Sequence, residues 1–412
     1  MPDVKQNKIL LLYQCFLAIL AVGIFFTATD IYLFDSGKLP PSYVTALALG
    51  FAATPLIPSF LSKNIKYLPF AILKWCLFYF VLTLIYYLLS IKNDVVKQEF
   101  NDRIFVVVYL LIMLFIFSGE AIVQKSARWA MFAATFWNIY TYIYELFSPE
   151  VWVTLTTMND SAGRAAGFYK NPNKAGLALV YSLVFAIQLL PKKYRLHFII
   201  ITFIGVLTTF SRGAIICTII LILLFFLKDV LYRHQLTYFF GAALCLILNL
   251  AVLGDYLKTE AVNLGISNYD IQTRIETFTN PSSRDASDDT SRTDIVSFAL
   301  GKFWEKPLFG NGLAYDQQWE GEVRPHNMYL LYMVQHGVVG LFIVHFLAFS
   351  AIKSARGETK KLGFFFLILT SVTSFFSHTL FYNRESVMLF ALMGVLSKQS
   401  YLNHVNSSGD KS

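Results

Sequence analysis

Long apolar stretches separated by short polar segments run along the chain from residue 9 to residue 401. A helix needs about 20 mostly apolar residues to cross a membrane, and about twelve stretches approach or exceed that length. We therefore predict an all-α integral membrane protein. The predicted transmembrane helices are 9–33, 43–60, 67–91, 104–119, 127–147, 175–190, 195–211, 213–227, 236–253, 327–352, 362–380 and 385–401.

The apolar stretch 195–227 is long enough for two of these spans. One continuous helix would leave Arg212 in the hydrocarbon or far outside the membrane, and both positions are unfavourable for a charged side chain. The sequence Ser211-Arg212-Gly213 therefore predicts a break between two helices.

Composition agrees with a membrane protein. Hydrophobic residues make up 56% of the 412 residues and charged residues 15%, whereas soluble domains carry roughly a quarter charged residues. The net charge of +8 is not typical of a nucleic-acid surface here, because the predicted loops on one side hold about twice as many Lys and Arg as those on the other. The positive-inside rule then predicts a cytoplasmic N-terminus.

One predicted outer connection, from Gly254 to Arg324, is much longer than the others. The sequence Ser291-Arg292-Thr293-Asp294 resembles a capping box and predicts the start of an amphipathic helix within this connection. Lys306-Pro307 predicts its end. The apolar face of this helix would contain Ile295, Phe298, Ala299 and Phe303.

The predicted domain organisation is a single polytopic membrane domain over residues 1–412. Within it, residues 254–324 form a large, partly helical loop on the outer side, between the ninth and tenth helices. Residues 402–412 form a cytoplasmic tail.

The segment Arg324-Pro325-His326-Asn327 lies where this polar connection meets an apolar span. His326 is the best candidate for a general base, because a neutral imidazole accepts a proton near pH 7. Asn327 is a candidate to bind substrate or to orient the ring. An alternative, that His326 only caps the following helix, stays open on sequence position alone. His336 is predicted to be a buried, hydrogen-bonded histidine instead of a second base.

Several arginines are candidates for binding an anion. Arg212, between two apolar spans, is unfavourable unless it faces a cavity, pairs with an anion or extends to the headgroups. Arg164, Arg292 and Arg324 come from three different outer segments. If they converge, their guanidinium groups suit a phosphate or pyrophosphate, although each alone is more typical of a solvated surface charge. The aspartates between 285 and 289 lack a hydrophobic scaffold, and we predict no metal site.

Three ordered segments carry a resemblance to a known family. The first is Gly163-Arg164-Ala165-Ala166-Gly167-Phe168 with Asn171-Pro172-Asn173, and the second is Phe210-Ser211-Arg212-Gly213-Ala214. The third comprises Ser291-Arg292, Lys306-Pro307-Leu308-Phe309-Gly310-Asn311-Gly312, Pro325-His326-Asn327 and Gly337-Val338-Val339-Gly340. In this order they resemble the O-antigen ligases, within the O-antigen ligase and polymerase superfamily.

This resemblance implies a GT-C-like glycosyltransferase of the bacterial inner membrane whose active site faces the periplasm. The donor would be O-antigen linked to undecaprenyl pyrophosphate, and the acceptor a hydroxyl of the lipid A-core oligosaccharide, with neither metal nor cofactor. The motifs assign His326 as the base and Arg212 and Arg292 to the pyrophosphate. They assign Arg164 and Asn173 to substrate binding less firmly. Arg324 has no firm counterpart in the family.

Other functions remain compatible with the sequence. An O-antigen polymerase or a protein O-oligosaccharyltransferase of the same superfamily would share the donor and the topology. A lipid-linked sugar flippase is less favoured, because the chain does not divide into two similar six-span halves. The single large outer loop favours the ligase.

Overall fold

The computed structural model describes residues 2–148, 164–235, 237, 238, 241, 286–319 and 324–409. Over these residues the chain is helical and has no strands, as the sequence predicts. The longer α-helices are α1 Pro2–Ala21, α2 Thr29–Asp35, α3 Ser42–Ala52, α4 Phe70–Leu89, α5 Asp94–Phe117, α6 Ala121–Phe147, α7 Pro172–Ala186, α8 Lys192–Thr208, α9 Arg212–Leu227, α10 Ala286–Glu305, α11 Met328–His336, α12 Val338–Ile352, α13 Gly357–Phe376 and α14 Arg384–Gly409.

Five helical stretches in the described part of the chain are long and apolar enough to cross a membrane. Two shorter helices, α9 and α12, are also apolar. The chain is therefore an α-helical, multi-pass membrane protein, and the count of twelve spans stays a prediction. Most of the predicted span 236–253 and most of the connection after it lie outside the described residues. The five stretches are Lys8–Phe26, Ser42–Tyr67, Phe70–Leu89, Asp94–Phe117 and Gly357–Phe376.

The described residues divide into two compact units. The first contains Met1–Phe26, Pro40–Ala130 and Thr290–Ser412. In it, α14 packs along α5 and α12, and α12 also packs on α4. The buried Trp75 of α4 donates a hydrogen bond from Nε1 to the Ile343 carbonyl at 3.0 Å, so this pair of helices is joined by a polar contact inside an apolar core.

The predicted span 327–352 is not one helix. It is broken at Gly337, whose φ of +63° and ψ of −149° separate α11 from α12. The prediction of a continuous helix was wrong because hydropathy does not detect a break that leaves the sequence apolar on both sides. A side chain at this position would overlap the Leu308 carbonyl, so only glycine allows the approach.

The turn after α10 fills this break. Lys306-Pro307 ends α10 as predicted, and the turn then hydrogen-bonds to the broken helix. The backbone N–H of Asn311 donates to the Val334 carbonyl at 2.9 Å, and that of Gly312 to the Gln335 carbonyl at 3.1 Å. The Val338 N–H donates in turn to the Pro307 carbonyl at 2.8 Å. Two of the motifs that suggested the family therefore pack on each other.

Replacing Gly310 by Ala is expected to destabilise the protein by about 2–5 kcal/mol. Gly310 has a φ of +70°, and a Cβ there would overlap the backbone of Gln335. The matched control is Gly301→Ala on α10, where a Cβ meets nothing within 4 Å. The higher helix propensity of alanine should stabilise this variant by at most about 1 kcal/mol. Detergent unfolding curves of the two purified variants measure the difference, and equal stability would contradict this account of the turn.

Helix α10 begins at Ala286, five residues before the predicted start at Ser291. Its apolar face is confirmed at Ala299 and Phe303, which are buried and belong to one hydrophobic cluster with Val334 of α11. Ile295 and Phe298 of the predicted face are half-buried. The helix extends to the N-terminal side of the capping-box sequence, since residues 286–290 contain no proline that would prevent it.

The second unit contains Thr27–Leu39 and Met131–Asp289. Here α7 packs on α8 and α9, and the predicted break before Arg212 is confirmed, since α8 ends at Thr208 and α9 begins at Arg212. A Cβ on Gly176 would lie 2.7 Å from the Cβ of Ala214. The glycine therefore lets α7 approach the first turn of α9 closely, as small residues do between membrane helices.

Candidate functional site

His326 precedes the first turn of α11 in the first unit. Its side chain is exposed, and its ring lies 5.0 Å, centroid to centroid, from that of His378. The helix cap is formed by Asn327, whose Oδ1 accepts hydrogen bonds from the N–H groups of Tyr329 and Leu330 at 2.9 and 3.1 Å. His326 therefore does not cap the helix, and the alternative stated from sequence is removed.

Arg324, two residues earlier, faces a buried carboxylate. Its Nε lies 3.7 Å from Oδ2 of Asp316, whose side chain is 1% exposed. The other carboxylate oxygen of Asp316 accepts a hydrogen bond from the Gln335 amide. Burial raises the pKa of Asp316 to about 6, against the opposing effects of the Gln335 amide and the arginines. The ionised form of this carboxylate attracts Arg324, which in turn lowers the pKa of Asp316.

A second buried charge lies next to Gln335. The guanidinium of Arg103, on α5, contacts His336 Nε2 through Nη1 at 2.5 Å and donates from Nη2 to the Gln335 side-chain oxygen. Its Nε donates to Glu99 Oε1 at 2.7 Å. All four side chains are at most 2% exposed. The prediction that His336 is buried and hydrogen-bonded is confirmed.

Glu99 is itself held by two further donors. Gln317 donates from Nε2 to Oε2 at 2.6 Å, and the Tyr382 hydroxyl donates to Oε1. A buried ion pair is favourable only when its remaining polar atoms are also satisfied, and these bonds meet that requirement. We call this set the buried polar network: Glu99, Arg103, Asp316, Gln317, Gln335, His336 and Tyr382.

The buried polar network connects α5, the segment before Arg324, and α11. Through Asp316 and Arg324 it extends to within two residues of His326 in sequence. The segment that carries His326 is thus anchored on one side by this network and on the other by the Asn327 cap. Such anchoring fixes the backbone of an exposed candidate base, as a catalytic arrangement requires.

The sequence interpretation missed this network and misplaced one of its members. The fourth predicted span begins at residue 104 and leaves Arg103 outside it. In the structure α5 begins at Asp94, and Arg103 lies within it. Two charges four residues apart, Glu99 and Arg103, at the edge of an apolar run were the available signal, because such a pair on one helix face can neutralise itself.

The second unit contains the other two family segments. Arg164 donates from Nη2 to Asn173 Oδ1 at 2.9 Å and from Nε to the Thr209 carbonyl at 3.2 Å. Ser211 donates from its hydroxyl to the same Asn173 oxygen at 2.9 Å. The structure therefore brings Arg164 and Asn173 together with the turn that precedes Arg212.

Arg212 is the first residue of α9, and its side chain is exposed. Ser211 is the N-cap, with its Oγ accepting from the Ala214 N–H at 3.3 Å. The N-terminus of a helix favours anions because of its unpaired N–H groups and dipole. A guanidinium at this position adds a full positive charge, so this end of α9 is suited to an anionic ligand.

Glu145 fixes the backbone of the first family segment. This buried carboxylate accepts hydrogen bonds at Oε2 from the N–H groups of Ala166 and Gly167, at 2.7 and 2.6 Å. Sequence reasoning did not select Glu145, since an acidic residue near the end of a predicted span is a common feature. Its function here is to hold the turn that presents Arg164.

The remaining candidate, Arg292, lies in α10, and its side chain is outside the described residues. Its assignment stays a prediction. The assignments of His326, Arg212, Arg164, Asn173, Arg324 and Asn327 also stay predictions of role, although the contacts of most of them are now defined.

Comparison with protein families gives a match over residues 197–345 to the family described as O-antigen ligase. The matched segment covers less than half of the chain. The resemblance noted from the motifs is confirmed for the O-antigen ligase family. The matched residues include Arg212, Arg292 and His326, whereas Arg164 and Asn173 precede them. Comparison with curated proteins finds no match.

Proposed function

We propose that this chain is an O-antigen ligase. It transfers O-antigen polysaccharide from undecaprenyl pyrophosphate to a sugar hydroxyl of the lipid A-core oligosaccharide, at the periplasmic side of the bacterial inner membrane. The observation that carries the proposal is the family match, because its residues include the proposed base and both arginines assigned to the pyrophosphate. The proposal includes about twelve spans, a GT-C-like architecture and no metal.

His326 is the proposed general base. The acceptor hydroxyl must lose its proton as it attacks the anomeric carbon, and a neutral imidazole with an exposed ring is suited to accept it. The Asn327 cap and the Arg324–Asp316 pair support this role, because both restrain the backbone beside the ring. Attack opposite the leaving group inverts the anomeric configuration.

Arg212 and Arg292 are the proposed cations for the leaving group. Negative charge develops on the pyrophosphate oxygens as the glycosidic bond breaks. Fixed guanidinium groups stabilise that charge without reorganisation, and their paired N–H donors match phosphate oxygens. The exposure of Arg212 at a helix N-terminus supports its assignment.

Arg164 and Asn173 are proposed to shape the donor site through the turn before Arg212. Asn173 accepts hydrogen bonds from both Arg164 and Ser211, so the three side chains hold the turn in one conformation. Asn327 and Arg324 are proposed to act in the same way near the acceptor, with a direct substrate contact as an additional role.

Replacing Arg212 by Ala in the native cell tests the proposal. The ligase reaction predicts lipid A-core without O-antigen, and long glycan retained on its lipid carrier. We expect a decrease in ligation of about 100-fold or more, since loss of one transition-state donor has that effect in other enzymes. Electrophoresis of lipopolysaccharide and analysis of the lipid-linked glycan measure both products.

The same experiment separates the alternatives. Core that carries a single O-antigen repeat identifies a polymerase. Donor that stays on the cytoplasmic leaflet identifies a flippase, and loss of protein glycosylation identifies a protein O-oligosaccharyltransferase. The control is Arg233→Ala, an exposed arginine of the same unit outside the three family segments, which should leave lipopolysaccharide unchanged.

A further inference from the structure

A groove lies in the first unit at the end of α12 that is farther from Gly337. It has a volume of about 570 Å³ and is enclosed by α4, α12 and α13. Since α12 has 15 residues, the groove is roughly 22 Å along the helix from the break beside Gln335 and His336. It is therefore separate from the buried polar network and from His326.

The walls of the groove are apolar. Phe346 and Phe349 of α12 are 39% and 55% exposed, and Phe364 of α13 lines the opposite side. Exposed phenylalanines on a membrane helix are suited to contact a hydrocarbon chain. The apolar walls alone do not select a ligand, because bilayer lipid of any kind contacts such a surface.

Basic side chains at one end of the groove favour an anionic ligand. Lys74, Lys353, Arg356 and Lys360 line it together with the phenylalanines. A smaller adjoining cavity of about 210 Å³ shares Lys74 and Lys353 and adds Lys398. Over the described part of the chain, Lys74, Lys353 and Lys360 have no carboxylate within ion-pair distance. Several positive charges therefore meet here without internal neutralisation.

We propose that this groove binds an anionic phospholipid. The phosphate headgroup is held by Lys74, Lys353 and Lys360, and one acyl chain lies against Phe346 and Phe349. Basic pockets between membrane helices bind anionic headgroups in this way, because cations at the membrane surface and apolar walls below them match both parts of such a lipid. A zwitterionic phospholipid has no net charge to offer this cluster.

Binding to the purified full-length protein tests the proposal. Phosphatidylglycerol and phosphatidylcholine of identical acyl chains are titrated in detergent, and retained lipid is counted by native mass spectrometry. We expect clear preference for phosphatidylglycerol. The triple variant Lys74→Gln, Lys353→Gln, Lys360→Gln should bind this lipid on the order of 100-fold more weakly, because each of the three cations contributes to the attraction of the anionic headgroup.

Two controls make the result decisive. The variant Lys63→Gln, Lys66→Gln, Lys125→Gln removes the same charge from exposed positions of the same unit and should keep the affinity. The variant Lys74→Arg, Lys353→Arg, Lys360→Arg keeps the charge and should bind as the native chain does, which separates binding from misfolding. Equal loss in the two glutamine variants, or equal binding of the two phospholipids, would overturn the proposal. The proposal would also be overturned if inorganic phosphate displaced bound phosphatidylglycerol as effectively as added phosphatidylglycerol does.

Discussion

Replacing His326 by Ala is expected to lower the rate of glycan transfer by about 10²–10⁴-fold while the protein stays folded. The side chain is exposed and does not cap α11, so its removal takes away a proton acceptor and leaves the cap of Asn327 intact. Transfer from lipid-linked glycan to purified lipid A-core, followed over a pH series, measures the effect. The native protein should lose rate at low pH as the imidazole is protonated, and the variant should lack this dependence.

His404→Ala provides the control, since that histidine is exposed near the end of α14. It should transfer glycan at the native rate with the native pH dependence. Unchanged transfer by His326→Ala, with normal protein levels, would show that another group accepts the proton. His378, whose ring is next to that of His326, would then be the first residue to replace.

Replacing Arg103 by Leu is expected to destabilise the protein by about 3–5 kcal/mol. The change leaves the buried carboxylate of Glu99 without its cation and removes the donors to Gln335 and His336. Unfolding of the purified protein in increasing denaturing detergent measures the loss. Because the network is joined to Arg324 through Asp316, transfer activity should decrease in the fraction that remains folded.

An exposed ion pair on α5, the helix that carries Arg103, serves as the control. Lys97 and Asp94 form an ion pair at 3.1 Å, with side chains 55% and 99% exposed. Lys97→Leu should change stability by less than about 1 kcal/mol, as exposed pairs contribute little. If the two leucine variants were equally stable, the buried polar network would contribute no more than a surface contact.

Hydropathy was sufficient to predict the class of the fold and several helix boundaries. The break before Arg212 was predictable because a charged residue in the middle of a long apolar run requires an explanation. The break at Gly337 was not, since apolar residues lie on both sides and its cause is the turn around Gly310, far away in sequence.

The candidate site was likewise predictable from the sequence only in part. The motifs selected Arg164, Asn173 and the Ser211–Arg212 turn, and the structure brings Arg164, Asn173 and Ser211 into hydrogen-bond contact. They did not select Asp316 or Gln335, because these side chains act through partners on other segments. A carboxylate in a polar connection gives no sign of being buried until the segment that covers it is known.

The break at Gly337 also constrains the order in which this helix pair is completed. The segment Pro307–Gly312 supplies hydrogen-bond partners for the end of α11 and the start of α12. That segment leaves the ribosome before the two helices do. The partners are thus already synthesised when α11 and α12 form, and this short helix pair is completed by chain that precedes it.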